Sequence, residues 1–478
     1  MIAIVILIFL LKAKAENSNF NSIEQNYLYE FQYRKNTIIS FYSDSFNLLH
    51  KKPDFFVLTV KLKFRKDFER SLKWLDLLIQ NPEVDNMFFA YQLMGLYLHC
   101  KDNLSNEYRD KIKNTFKTKT IYRGDTENHW LMYYIAWYLI SQEWQGETWS
   151  NLKTSSELFH ESEEYINYWI NQTVSFGQIE FDSPTYIITY IPPLCLLYDF
   201  AEDTLMKRKA QMMIEYILAD YAVEYLVGCY CGGHSRDYSE FVINPRYAQA
   251  RTLGYLYFGQ IDFKPYLKES NSVIFCALSS FYLPDIIYYI ATDRAVSYEH
   301  RERKRVRNII RFGKERNPAV YKYTYMTRDY CMGSLQGGIL QPIQQHSWDI
   351  TFSDFGDYNT VFSVHPYFSE IELGMFFPEE IKILPELVDR AHKIYRNPNK
   401  WSSSSPYERI FQYEGTLIAL YDFTGMTFVE QYRHINIFIP KQLDYFEMDT
   451  LGWIIGKRGN GYFGIMVLGA RSISLVVD

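Results

Sequence analysis

At residues 300–316 the chain reads HRERKRVRNIIRFGKER, a strongly basic run that separates two kinds of sequence. Before it, from about residue 65 to about residue 295, apolar residues recur at every third or fourth position, the spacing of an amphipathic helix. After it come short segments rich in Tyr, Thr, Phe, Val and Ile, separated by Gly, Asp, Asn and Pro, which is typical of strands and turns. The sequence therefore predicts a multidomain α+β protein with helices first and antiparallel strands after them.

The first half reads as a series of helices joined by short polar connections, as in stacked helical hairpins. The predicted helices are DFERSLKWLDLLIQ, MFFAYQLMGLYLHC, EYRDKIKNTFK, WLMYYIAWYLISQ, SSELFHESEEYINYWINQ, SPTYIITYIPPLCLLYDFA and DTLMKRKAQMMIEYILADYAVEYL. Pro192 and Pro193 are expected to kink or split the sixth of these, because proline removes a backbone hydrogen bond and clashes with the preceding turn.

These patterns divide the 478 residues into five parts. They are a signal peptide (1–15), an N-terminal extension (16–64), a helical domain (65–299), a basic linker (300–318) and a β domain (319–478). The last strand-like run reaches the final residue, as expected of a truncated sheet. Helical hairpins followed by a β-sandwich occur in several carbohydrate-active enzymes, but an architecture alone does not determine a function.

The first residues predict export. An apolar stretch at 2–11 is followed by Ala13-Lys14-Ala15, a small-x-small cleavage pattern, and the stretch is too short to span a membrane comfortably. A short membrane anchor and a misplaced start codon are the alternatives, since no Lys or Arg precedes the stretch. We expect a secreted or periplasmic protein with no integral membrane domain beyond this signal.

The composition argues against several classes of protein. The net charge of -6 comes without a domain-wide excess of Lys and Arg, which disfavours nucleic acid as a partner. The six cysteines are too few for a disulfide framework and lack zinc-ligand spacing, so we expect structural thiols and predict no metal or cofactor. The sequence has no P-loop, dinucleotide glycine fingerprint, Gly-x-Ser-x-Gly elbow or His-Glu-x-x-His motif.

The first of four candidate stretches is TENHW, residues 126–130, at the start of a predicted helix. Thr126 can cap that helix, and Glu127 lies favourably near the positive end of the helix dipole. Asn128 and His129 are poor helix starters, so capping does not account for them. A structural role and a binding role stay open for this pair.

The second stretch is GQIEFDSPTYIITY, residues 177–190. Its loop carries Glu180 and Asp182, and a Ser-Pro pair then opens a predicted helix. Tyr186 falls in the first turn, where the positive helix end favours a phenolate. The alternative is that Tyr186 is a core tyrosine, in a chain that has 42 of them.

The third stretch is CYCGGHSRDYSEF, residues 229–241. A pair of glycines permits close approach of the backbone to a ligand, and His234, Arg236 and Tyr238 follow within five positions. Histidine and tyrosine can exchange protons, and a guanidinium can bind a carboxylate through its planar fork. A solvated surface turn is the alternative reading.

The fourth stretch is YCMGSLQGGILQPIQQHSWDITF, residues 330–352, near the start of the β domain. Ligand sites commonly lie where domains meet, so His346 could face such a site. The alternative is a half-buried histidine on a strand.

Taken in order, these stretches resemble a group of polysaccharide lyases that combine an (α/α) toroid with a β-sandwich: the alginate lyases, heparinases II/III and chondroitin AC lyases. In those lyases an Asn-His pair begins a toroid helix, and a loop of the type Asp-Gly-Ser-x-x-Glu-Gly-x-x-Tyr follows. Here Tyr186 lies 57 positions after His129. The family's Asp-Gly-Ser is Gly-Gln-Ile at 177–179, and QQHSWDITF is similar to the family's β-domain histidine motif.

The resemblance implies β-elimination on a uronic-acid polymer or oligomer, an anionic glycan. Removal of the C5 proton develops negative charge on the sugar carboxylate, which preorganised donors must stabilise. In this chain Asn128, His129 and Arg236 would supply those donors, and Trp130 would offer a flat face to a sugar ring. Glu180 and Asp182 would also line the substrate.

The resemblance also implies that a tyrosine exchanges the two protons of the reaction. Such a tyrosine takes the C5 proton as a base and protonates the leaving glycosidic oxygen as an acid. Tyr186 is the first candidate and Tyr238 the second. His234 or His346 would be the partner.

Two other functions stay open on the sequence alone. A glycoside hydrolase on the same toroid would use two carboxylates flanking the scissile bond, and Glu127, Glu180 and Asp182 are available for that role. A non-catalytic glycan-binding protein would keep the fold without turnover. The oligomeric state, the polysaccharide and the choice of endo or exo action are not indicated by the sequence.

Overall fold

The computed structural model describes residues 17–80, 85–265, 270–305, 319–337, 345–354, 356–366, 401, 405, 407–424 and 433–469. The predicted signal peptide lies outside these residues, as do the second part of the predicted linker and the final strand-like run. In the described part the protein is mixed α+β: helices fill the N-terminal region and antiparallel sheets the C-terminal half, which confirms the predicted order.

Thirteen α-helices occur among the described residues. In chain order, α1 to α13 are Asn17–Ser40, Phe55–Lys63, Phe68–Gln80, Met87–Cys100, Asn106–Thr118, Glu127–Glu143, Ser155–Phe176, Ile187–Phe200, Thr204–Ala222, Ser239–Ile243, Ala250–Tyr257, Val273–Leu278 and Asp285–Thr292. The seven predicted helices correspond to α3 to α9. Two helices, α1 and α2, occupy the segment that the sequence predicted only as an extension.

Helix α4 lies in the apolar core of the helical region and packs against α2 and α6. Its start is fixed by Asn86, whose side chain accepts the backbone N–H groups of Phe88 and Phe89. At Gly95 an added Cβ would lie only 2.4 Å from the ring of Phe275 in α12. A glycine is therefore needed where this ring approaches the helix backbone.

Helix α8 runs as one element through Pro192 and Pro193. Of the two expected outcomes, a kink or a split, the split into two helices is wrong. Each proline removes one backbone donor, but apolar residues on both sides of the pair, such as Ile191 and Leu194, are fully buried. Burial of this helix outweighs the lost hydrogen bonds, because tertiary packing routinely overrides local propensity.

Fifteen strands follow or interrupt the helices in the described residues. In chain order, β1 to β15 are Tyr225–Leu226, Cys229–Tyr230, His234–Ser235, Tyr298–Lys304, Val320–Met326, Tyr330–Gly337, Gln345–His346, Trp348–Phe352, Thr360–Val364, Glu408–Tyr413, Thr416–Tyr421, Asn436–Phe438, Tyr445–Met448, Trp453–Arg458 and Gly461–Met466. The largest sheet has six strands in the order β12-β9-β8-β6-β5-β4. A hairpin, β10-β11, and a three-stranded sheet, β13-β14-β15, are separate, and all of these pairings are antiparallel.

One face of the six-stranded sheet is covered by apolar side chains from the later strands. Ile350 and Phe352 of β8 share a buried cluster with Ile410 of the hairpin and Phe463 of the three-stranded sheet. This arrangement places a continuous apolar core between the large sheet and the two smaller β elements, as expected when one face of an antiparallel sheet is buried.

The basic run at 300–316 begins as a strand, which differs from the predicted linker. Strand β4 alternates between more and less exposed side chains, and it ends at Lys304, which is buried. A charge-rich strand is stable here because β4 pairs along its whole length with β5. Composition suggested a solvated segment, but the alternation places every second side chain toward the protein.

The described chain forms two compact units that do not follow the order of the sequence. The first unit comprises residues 1–167, 188–222 and 252–290, and the second comprises 168–187, 223–251 and 291–478. The second unit therefore includes two segments from the helical half of the chain. Among the described residues, no helix combines the length and apolar content needed to cross a lipid bilayer.

Candidate active site

Two loops of the second unit pack directly on strands β5 and β6. Phe181, in the first loop, is fully buried against Val320 and Leu335. In the second loop, a Cβ added at Gly233 would lie 2.4 Å from Leu335. The glycine pair thus lies against strand β6, which fixes the loop backbone, and its approach to a ligand stays a prediction.

The two loops are also hydrogen-bonded to each other. Ser183 Oγ donates to the carbonyl oxygen of Arg236 at 3.0 Å, and it accepts the backbone N–H of Tyr186 at 3.0 Å. Ser235 Oγ donates to the carbonyl oxygen of Phe181 at 2.8 Å. Because Ser183 caps the turn, Tyr186 lies immediately before α8, one residue earlier than the predicted first helical turn.

These contacts bring Tyr186, Arg236 and Tyr238 together. The hydroxyl oxygens of the two tyrosines lie 2.7 Å apart. Arg236 donates from Nη2 to the Tyr186 hydroxyl at 2.8 Å, and its guanidinium carbon lies 4.7 Å from the centre of the Tyr186 ring. Both tyrosines are partly exposed.

Glu180 completes this group as the partner of the guanidinium. Its carboxylate oxygen lies 3.4 Å from Arg236 Nε, and its side chain is only 3% exposed. Burial opposes the charge on Arg236, but Glu180 and the tyrosines raise the pKa of the guanidinium above its ordinary value. Burial raises the pKa of Tyr238, so that this hydroxyl keeps its proton.

Asp182 lies outside this group, in a buried network of charges. Its two carboxylate oxygens accept Lys304 Nζ at 2.9 Å and Lys322 Nζ at 2.5 Å. Lys322 also binds Glu224 at 2.6 Å, and Lys304 binds Glu302 at 2.7 Å. Burial alone would raise the pKa of Asp182, but the two lysines hold it below its ordinary value.

The network has three carboxylates for two ammonium groups. Ligand atoms of Asp182, Glu224 and Glu302 lie within 4.8 Å of one another, a spacing that could hold a metal ion. In this structure the cation among them is the Lys322 ammonium, 3.8 Å from Glu302 and in direct contact with the other two carboxylates. The cluster ties Asp182 of the first loop, and Glu224 just before β1, to strands β4 and β5.

The excess carboxylate makes folding stability depend on pH. Burial raises the pKa of Glu224 to about 7, whereas the pKa of an exposed glutamate is about 4.3. A group whose pKa is higher in the folded state stabilises the fold below its unfolded pKa, and this contribution is lost as the pH rises through the folded pKa. We expect the free energy of unfolding to fall by on the order of 2 kcal/mol between about pH 5.5 and about pH 8 from this residue.

Urea unfolding curves at several pH values, followed by the fluorescence of the tryptophans in the second unit, would test this expectation. The variant Glu224→Gln should show a flatter dependence of unfolding free energy on pH than the wild type. An equally steep dependence in both proteins would assign the effect to other groups.

His234 and His346 are buried partners in the register of β3 and β7. Their rings stack with centroids 6.3 Å apart. His234 Nε2 donates a hydrogen bond to the carbonyl oxygen of Tyr230 at 3.0 Å, and His346 Nε2 lies at hydrogen-bond distance, 3.2 Å, from Asp349 Oδ2. Burial holds the pKa of His234 well below its ordinary value, so this imidazole is neutral. Their predicted role as proton-transfer partners stays a prediction.

Asn128, His129 and Trp130 belong to the first unit, at the start of α6. Asn128 is fully buried, and His129 Nδ1 accepts the backbone N–H of Asp125 at 3.4 Å. Trp130 donates to the carbonyl oxygen of Gly124 at 2.9 Å. These contacts give the imidazole and the indole a part in forming the helix start, and their binding of a substrate stays a prediction.

Thr126 and Glu127 were predicted to be structural. Thr126 occupies the N-cap position of α6, but its side chain makes no capping hydrogen bond. Glu127 accepts a hydrogen bond from Tyr190 at 3.3 Å. The start of α6 is thus held by the hydrogen bonds of His129 and Trp130, and Thr126 supplies no capping hydrogen bond.

The sequence indicates Glu180, Tyr186, Arg236 and Tyr238 as candidate site residues, and the structure brings these four together. The buried lysines are not among the residues that the sequence singled out. A signal was present in the strand segment AVYKYTYMT. Lys322 lies two positions from both Val320 and Thr324, so its side chain is on the same inward face of the strand as theirs. Comparisons with protein-family models, with curated proteins and with solved structures found no match to this chain.

Proposed function

We propose that this protein is a polysaccharide lyase that cleaves a uronic-acid-containing glycan by β-elimination. The observation that carries the proposal is the arrangement around the Tyr186 hydroxyl, which receives an Arg236 N–H at 2.8 Å and lies 2.7 Å from the Tyr238 hydroxyl. A tyrosine oxygen that accepts an arginine N–H and lies within hydrogen-bond distance of a second hydroxyl is placed to exchange protons with a substrate.

In the proposed reaction Tyr186 acts as the base. Its phenolate takes the proton from C5 of the uronate, the electron pair forms the C4=C5 double bond, and the bond from C4 to the glycosidic oxygen breaks. Tyr238 keeps its proton because burial raises its pKa, so it can protonate the leaving oxygen. Transfer of a proton from Tyr186 to Tyr238 across 2.7 Å then restores both groups, and no water is consumed.

Arg236 supplies the positive charge that the reaction needs. Negative charge develops on the sugar carboxylate as C5 loses its proton, and a fixed cation nearby stabilises it. Glu180 holds the guanidinium in place from the buried side at 3.4 Å. Arg236 is thus positioned before substrate binds, which reduces the reorganisation required during the reaction.

We also propose that the two parts of the chain have the architecture of the lyases they resemble. Successive helices α3 to α9 are compatible with an (α/α) toroid, and the apolar core between the six-stranded sheet and the later strands is compatible with a β-sandwich. Export to the periplasm or the medium, where such glycans occur, belongs to the same proposal.

The hydrolase alternative has less support from the described carboxylates. A retaining or inverting hydrolase needs one carboxylic acid and one carboxylate facing the substrate. Asp182 is 3% exposed and bound by two lysines, and Glu180 is 4% exposed and paired with Arg236. Neither of these two carboxylates is arranged to protonate a glycosidic oxygen, and the third candidate, Glu127, is partly exposed and accepts a hydrogen bond from Tyr190.

A panel of polysaccharides distinguishes the functions. The purified full-length protein should release unsaturated uronate, seen as new ultraviolet absorbance, from at least one uronic-acid polymer and from no neutral glycan. New reducing ends without the chromophore would favour a hydrolase. Binding without any product from the whole panel would favour the non-catalytic glycan-binding protein.

A further inference from the structure

The three-stranded sheet β13-β14-β15 carries aromatic side chains on its outward face. Tyr445, Lys457 and Tyr462 are directly opposite one another in the strand register, so their side chains form one row on one face. The other face packs into the apolar core through Phe463. Tyr445 is 46% exposed and Tyr462 is 65% exposed, so the row faces solvent.

Trp453 adds a third ring to this face. A Cβ built at Gly464 would lie 3.5 Å from the Trp453 ring carbons Cε3 and Cζ3, so the indole lies over the backbone of the neighbouring strand. An added Cβ at this position would be in ordinary van der Waals contact with the ring, so the indole lies close to the strand surface. The indole is held by the sheet and is still 39% exposed.

Polar and charged groups accompany the rings. Lys457 Nζ lies 5.4 Å from the centre of the Tyr462 ring, a cation–π contact. The Tyr445 hydroxyl donates to the Glu447 carboxylate. The face therefore offers flat apolar surfaces together with hydroxyl, ammonium and carboxylate groups.

We infer that this outward face, formed by Tyr445, Trp453, Lys457 and Tyr462, binds a glycan chain away from the Tyr186 site. The C–H faces of pyranose rings would stack on the aromatic rings, and the Lys457 ammonium would pair with a sugar carboxylate. That the glycan is a polyuronate rests on the proposed function.

The spacing of the aromatic residues supports a glycan over a protein partner. Neighbouring strands lie roughly 4.8 Å apart, so Tyr445 and Tyr462, on the strands flanking Lys457, are separated by about 10 Å. This is about the span of two linked pyranose rings, with the ammonium between them. By contrast, the outward face of the β10-β11 hairpin exposes Phe411 and Ile418 as a cross-strand apolar pair, which suits a protein surface.

Affinity electrophoresis through gels containing a polyuronate would test the inference. The parent protein carries Tyr186→Phe, so that a cleavable glycan is not degraded during the run. We expect Trp453→Ala and Tyr462→Ala, added to that parent, each to raise the apparent Kd by about tenfold, as removal of one stacking contact should. Phe411→Ala is the matched control, an exposed aromatic whose loss should leave the Kd unchanged.

Each possible result either supports or contradicts glycan binding by this face. Near-ultraviolet circular dichroism verifies that each variant is folded; the largely exposed Tyr462 provides a second test if Trp453→Ala does not fold. Equal retardation of all folded variants, or no retardation of the parent, would overturn the inference even if the wild type releases unsaturated uronate. Sedimentation showing a dimer that Trp453→Ala dissociates would also overturn it, since the face would then join two copies. Loss of binding as expected, with no unsaturated product from the wild type, would support the glycan face and refute the proposed lyase.

Discussion

Replacing Tyr186 with phenylalanine is expected to lower kcat on the cleaved polyuronate by roughly 10²-fold to 10⁴-fold, the usual contribution of a group that transfers protons in the transition state. The substitution removes the oxygen that receives the Arg236 N–H and faces Tyr238, and it leaves the ring in place. Binding of the glycan should persist, so KM should change little. Initial rates of ultraviolet absorbance at several substrate concentrations would measure both constants.

The control for this substitution is Tyr321→Phe, which removes a hydroxyl from an exposed tyrosine of the same unit. It should have the kcat of the wild type. Both variants should stay folded, because each change removes a single hydroxyl and Tyr186 is partly exposed. A Tyr186→Phe enzyme that retains most of its kcat would remove this tyrosine from the mechanism.

Replacing Lys322 with methionine is expected to destabilise the second unit by about 3 to 5 kcal/mol, the usual result of removing one partner from a buried ion pair. The Lys322 ammonium is fully buried, and it binds Asp182 at 2.5 Å and Glu224 at 2.6 Å. Methionine fills a similar volume, so the loss comes mainly from Glu224, which loses its lysine, and from Asp182, which keeps only Lys304. The midpoint of urea unfolding would measure it.

A double variant sharpens this prediction. Lys322→Met combined with Glu224→Gln removes one positive and one negative charge, so the network keeps its original net charge. The double variant should be more stable than the sum of the single changes implies, as expected for residues in contact. Arg301→Met is the control on strand β4, since Arg301 forms an ion pair at the exposed surface and its loss should change little. Simple additivity would show that the network does not act as a unit.

The order of helices and strands could be predicted from periodicity alone. Helices such as Phe68–Gln80 and Ser155–Phe176 have one apolar side and therefore carry a clear signal. Local reasoning was less successful where packing overrides propensity, as in the helix that continues through Pro192 and Pro193. The strand within the basic run was missed because its stability depends on pairing with β5, which no local pattern reveals.

The candidate site was predictable in part for a similar reason. Tyr186, Arg236 and Tyr238 lie in short loops with an unusual combination of residue types, so the sequence alone indicates them as candidate site residues. The partner of Asp182 was not predictable, because Lys322 lies 140 positions further along the chain. Asp182 is bound by two lysines of the folded sheet and by the Tyr230 hydroxyl, and its contact with a substrate stays a prediction.

The division of the second unit into separate stretches of chain has a consequence for biosynthesis. Glu224 emerges from the ribosome 98 residues before Lys322, which corresponds to roughly 5 to 20 s of translation. During that interval its carboxylate has no buried cation to receive it, and it must stay hydrated. The first loop, which carries Asp182 and Tyr186, therefore gains its ion pair with the sheet only after Lys322 of β5 has been synthesised.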